Sequence, residues 1–119
     1  MKNSDINITV ALDEANIPEK ITWKAIDADG NSPVGAQSLD SKAMSLSFWD
    51  DEQKNTLRID LWTKGMPVNE MKRFCIDAIG GLAQTTLNAT GDAFMAQEIN
   101  ELCDRLVKHV EEEVKNGQA

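Results

Sequence analysis

The residues best able to do chemistry sit in one pair of strand-like segments. In "TLRIDLWT", residues 56 to 63, Leu57, Ile59 and Leu61 alternate onto one side, which leaves Trp62 on the other with Arg58 and Asp60. The preceding segment "AMSLSFWD", residues 43 to 50, ends in a second indole, Trp49. Directly opposed residues of paired strands share a side of the sheet. Pairing Phe48 with Leu57, Leu46 with Ile59 and Met44 with Leu61 therefore gathers every apolar side chain on one face. The same register sets Trp49 opposite Thr56 and Trp62 opposite Ala43, with Ser45, Ser47, Arg58 and Asp60 between them. At about 3.3 Å per residue the two indoles stand roughly 20 Å apart. Indole and guanidinium groups are frequent anchors of protein interfaces, so the chemistry indicated is recognition. The partner-binding residues expected from this pattern are Trp49, Arg58, Asp60, Trp62 and Lys64.

The sequence carries no recognisable catalytic or metal-binding pattern. His109 is the single histidine, with no cysteine or carboxylate at metal-ligand spacing and no nucleophile in a recognisable elbow. The glycines at 30 and 35 open no helix, and no phosphate-cradling loop is present. Cys75 and Cys103 fall in helical patterns and read as two small buried thiols, reduced and able to cross-link only on oxidation. Folding the two helices back near residue 90 makes those thiols nearly level. The reading is of a protein with no catalytic residue, no metal and no cofactor, and not of an enzyme.

These side chains need elements to position them. Residues 5 to 12, "DINITVAL", and 20 to 27, "KITWKAID", alternate polar and apolar and read as a first antiparallel hairpin; 43 to 50 and 56 to 63 read as a second. Residues 28 to 42 read as a long loop. After Pro67 the period becomes helical, with one helix over about 67–88 and another over about 92–115. The first carries Met71, Phe74, Cys75, Ala78, Leu82 and Thr85 as its apolar stripe, and Gly80 with Gly81 implies a kink, a phase change or a close neighbour. The second carries Met95, Ile99, Leu102, Cys103, Leu106 and Val110, with Glu101–Arg105, Asp104–Lys108 and Glu111–Lys115 pairs on its wet side. The expected fold is α+β: one four-stranded antiparallel sheet of two hairpins, with the two C-terminal helices packed on its apolar face. At 119 residues the chain suits a single domain over 1–119.

Twelve Lys and Arg against twenty Asp and Glu give a net charge of −8, which repels phosphate backbones and anionic lipid and excludes nucleic acid as the expected partner. The N-terminal residues lack the apolar run of a secretory signal, and no stretch approaches the ~20 apolar residues of a membrane span. The expectation is a soluble cytoplasmic protein that is not integral to a membrane. Homo-oligomerisation would protect its strand edges.

Three segments carry a family resemblance: "VALDEANIPEKITW" at 10 to 23, "KAMSLSFWD" at 42 to 50 and above all "LRIDLWTKGMPVNEMK" at 57 to 72. The chain resembles the GldC family of gliding motility-associated proteins, with Gly65 and Asn69 departing from acidic positions of that pattern. The resemblance implies an accessory role in gliding, with protein partners in the gliding or secretion machinery, and it brings no catalytic residues. The alternatives are a holdase-like chaperone for exported proteins, by analogy of element order with the export chaperone SecB, or a small-ligand-binding protein.

Overall fold

The computed structural model describes residues 2–26 and 38–117. The expected loop at 28 to 42 therefore falls largely outside the described residues. The chain forms two compact units, Met1–Met66 and Pro67–Ala119, and each is described by itself.

The first unit is antiparallel. β1 (Asp5–Leu12) pairs with β2 (Pro18–Ile26), Val10 standing opposite Ile21. Their five-residue connection is tightened by Asp13, whose carboxylate accepts the backbone N–H groups of Ala15 (2.8 Å) and Ile17 (3.0 Å). Asn16 takes the left-handed conformation there, φ 64°, a turn position that its short polar side chain tolerates. Pro18 opens β2, where a missing N–H breaks no interior ladder bond. Ile21 is 1% exposed and is the most buried large side chain of the unit.

The expected single four-stranded sheet is not formed. A short strand, β3 (Leu39–Ser41), pairs with β2, and β4 (Ala43–Asp50) pairs with β5 (Asn55–Trp62), giving a three-stranded sheet in the order β1-β2-β3 and a separate two-stranded one. The cause is local. Lys42 bends the chain between β3 and β4, and its carbonyl accepts the Thr63 N–H at 2.8 Å, so one continuous segment serves two ladders. Three residues with a polar centre, "LDS", carry too little alternation to announce β3 in the sequence. Trp23 fixes the junction by donating its Nε1–H to Ser41 Oγ at 3.0 Å.

The second unit is a helical hairpin of α1 (Val68–Thr90) and α2 (Ala93–Lys115). Gly91 ends α1 in the left-handed conformation, φ 73°, and returns its N–H to the Leu87 carbonyl, an arrangement for which glycine has no Cβ penalty. Asp92 then caps α2 by accepting the Met95 N–H at 3.0 Å. Helix α1 runs through Gly80 and Gly81 without interruption. Nor is there a close neighbour: a Cβ at Gly80 would meet only the Cys103 sulfur at 3.8 Å, and one at Gly81 nothing within 4 Å.

The stripe that α1 hides agrees with the expected one only in its first half. Met71 and Phe74 are half-buried as expected, but so are Ile76, Ile79 and Gly80, and Ala83 is buried, whereas Cys75, Ala78, Leu82 and Thr85 are exposed. For α2 the expected Ile99, Cys103, Leu106 and Val110 are half-buried, whereas Met95 and Leu102 of that stripe are exposed and Ala96, outside it, is buried. Both thiols are free; the Cys103 thiol lies 3.7 Å from the Ile76 carbonyl, next in sequence to Cys75, while Cys75 faces solvent. The three expected i,i+4 pairs do not close among the described residues. Glu113 instead accepts from Lys72 across the hairpin (2.7 Å) and from His109 one turn back (2.9 Å). Lys72 holds the Glu113 carboxyl below its usual range. Among the described residues no helix is long and apolar enough to cross a membrane.

Candidate functional site

The register of β4 and β5 is the one the alternation implies: Phe48 faces Leu57, Leu46 faces Ile59, Met44 faces Leu61, Trp49 faces Thr56 and Trp62 faces Ala43. Both indoles accordingly lie on the polar side, Trp49 66% and Trp62 55% exposed. An indole left in water forgoes a burial gain on the order of 2 kcal/mol.

Between the indoles the polar residues form a connected network. Arg58 donates to Ser47 Oγ at 2.6 Å, to Ser45 Oγ at 2.8 Å and to both Asp60 oxygens at 3.0 and 3.1 Å. Ser45 in turn donates its hydroxyl to Asp60 at 2.5 Å. The Ser45 hydroxyl and then the Arg58 guanidinium stabilise the Asp60 carboxylate and hold its pKa below the ordinary range. Alternation on two paired strands stacks these four side chains in one strip, so the guanidinium is held in place before any partner arrives.

Lys64 is engaged differently. Its backbone N–H reaches the Pro18 carbonyl at 3.1 Å, and its ammonium contacts Asp13 at 3.0 Å and Glu19 at 3.5 Å. Hydrogen bonding to Asp13 raises the Lys64 pKa; Asp13 is lowered by the Ile17 N–H and then by Lys64. Thus Lys64 ties the end of β5 to the β1–β2 turn, and it is less available to a partner than its place in the sequence suggests.

That tie creates a cleft of about 320 Å³ at Trp62, lined by Ile17, Pro18, Asp60, Leu61, Trp62 and Lys64. Sequence reading missed Ile17 and Pro18 as part of this site. No local signal points to them, because they arrive by chain pairing from more than forty residues away. The hairpin's apolar side is graded: Met44, Leu46 and Leu61 are half-buried near the Lys42 bend, whereas Phe48 (56%), Leu57 (55%) and Ile59 (50%) are exposed towards the turn. Among the described residues no group of His, Cys, Asp or Glu is arranged to hold a metal ion.

The family model for gliding motility-associated protein GldC-like matches residues 18–112, which takes in β2, the whole β4–β5 hairpin and nearly all of both helices. The chain belongs to the GldC-like family. Its members are associated with gliding motility, and this membership accounts for the resemblance carried by residues 57 to 72. No curated protein and no solved structure matches the chain.

Proposed function

We propose that this GldC-like chain is a non-catalytic accessory protein of the gliding machinery. It acts in the cytoplasm and binds a protein partner of the gliding or secretion apparatus through the outer face of β4–β5. Trp49, Arg58, Asp60 and Trp62 provide the contact surface, with Lys64 shaping its edge. The observation that carries this reading is the pair of exposed indoles flanking a prearranged Arg58–Asp60–Ser45 network. Held polar groups lose little further side-chain freedom on binding, and the indoles supply the apolar anchors.

Partner capture from the native cell tests the proposal, with wild type beside Trp62→Ala and Trp49→Ala. Loss of one protein, captured by wild type, from both variants is the expected result; equal recovery by all three rejects the face. Acrylamide quenching of tryptophan fluorescence should meanwhile find two accessible indoles in the isolated chain.

A second reading, a holdase for exported proteins, is favoured by the exposed Phe48, Leu57 and Ile59 on the opposite face. Comparable binding of several unrelated unfolded proteins, unaffected by either tryptophan substitution, would select it.

A further inference from the structure

We infer that the cleft at Trp62 receives a basic, apolar-containing segment of a protein. An apolar side chain would enter against Ile17, Pro18, Leu61 and Trp62, and a neighbouring Lys or Arg would lie along Glu14 and Glu19. The inference rests on the docking face proposed above and specifies the chemistry of its occupant.

The argument starts from two adjoining concavities that share Lys64. The first is the apolar cleft at Trp62; among its lining residues, Ile17 is 46% and Trp62 55% exposed. The second, about 570 Å³, is lined by Leu12, Asp13, Glu14, Ala15, Glu19 and Lys64. Three carboxylates there face one ammonium. Lys64 is already bonded to Asp13 and close to Glu19, while Glu14 forms no ion pair among the described residues. Asp60, at the rim of the first cleft, is likewise paired with Arg58. The uncompensated charge next to the apolar cleft is therefore negative.

Charge complementarity then chooses the occupant. An acidic segment would meet this excess of carboxylate over ammonium on entry, and a neutral one would leave it uncompensated. A segment with an apolar residue and a Lys or Arg close in sequence fills one concavity and neutralises the other, and an Arg can also lie over the exposed Trp62 ring. In an extended peptide, residues two apart project to the same side about 7 Å from each other, so an apolar residue and the Arg or Lys two positions on can face the two concavities on either side of Lys64.

The test uses the full chain, labelled with ¹⁵N, and two synthetic peptides: one repeating Leu-Ser-Arg-Ser, which sets each Leu and the Arg two residues on to the same side, the other with Glu in place of each Arg. The three indole N–H signals are assigned by Trp→Phe substitutions. The Arg peptide should shift the Trp62 indole and the Ile17 and Leu61 amides. Its binding should weaken about three- to tenfold in the Glu14→Gln/Glu19→Gln double variant, the range for two exposed charge contacts, and fall with added salt. Both glutamates are exposed, so an otherwise unchanged spectrum verifies the variant's fold. No shift with the Arg peptide, equal shifts with the Glu peptide, or undiminished binding by the double variant overturns the inference. Shifts of the same signals on concentrating the chain alone would make a second copy the occupant and overturn it as well. Failure of the docking face is separable: if native partner capture is lost in Trp62→Ala but intact in Glu14→Gln/Glu19→Gln, the face stands and the basic segment falls.

Discussion

The β4–β5 hairpin and the α1–α2 hairpin are each two antiparallel elements joined by a tight turn, yet they reveal their inner faces to different degrees. In the strand pair, polar and apolar residues separate cleanly, and the observed register is the only one that keeps Phe48, Leu46 and Met44 with their apolar partners. In the helix pair, α1 carries apolar residues on two faces. Met71, Phe74 and Leu82 mark one, and of these Leu82 is exposed while Met71 and Phe74 are half-buried; the half-buried Ile76 and Ile79 with the buried Ala83 mark the other. A period-two pattern offers two faces of which one is plainly polar. A 3.6-residue period on a helix with two apolar stripes leaves the choice to packing, which buries Ala83 and leaves Leu82 exposed.

Substitutions can break or sharpen that contrast. The largest effect should come from Ile21→Ala, at the 1%-exposed centre of the strand unit: removing a fully packed aliphatic side chain costs about 2–5 kcal/mol, read as a lowered urea midpoint. Next is Ala83→Leu, which overfills the helix hairpin and should cost about 1–3 kcal/mol, while Leu82→Ala one position away, at 55% exposure, should stay within about 0.5 kcal/mol. The reverse ranking would restore the stripe expected from side-chain size. Smaller, and of opposite sign, is Gly81→Ala. With open space for a Cβ and an uninterrupted helix, it should stabilise by about 1 kcal/mol; destabilisation would mean that the glycine is needed for close approach after all.

The smallest expected effect is on pH dependence. Asp13 and Asp60 in the strand unit and Glu113 in the helix unit have folded pKa values below their ordinary ones. Their contributions are fully present above the unfolded values of about 4 and are lost as pH falls through the lower folded values, because the unfolded chain takes up protons first. Carboxyl NMR titration should find Asp60 ionising below an exposed aspartate, with Ser45→Ala moving it back upwards. An Asp60 that titrates normally would mean that the network between the indoles is not held.

The sequence by itself determined the antiparallel second hairpin, the outward side of both indoles, the Ile99, Cys103, Leu106 and Val110 part of the inner stripe of α2, and the place where α1 gives way to α2 at Gly91 and Asp92. These follow from local periods and from backbone groups satisfied within a few residues. Only the tertiary structure decided that Lys42 bends one segment into two ladders, that α1 buries Ala83 in preference to Leu82, and that Lys64 binds Asp13 and Glu19 so that Ile17 and Pro18 wall the cleft at Trp62. Each of these turns on residues far apart in the chain or on a choice between faces of similar hydrophobicity, and neither leaves a local pattern to read.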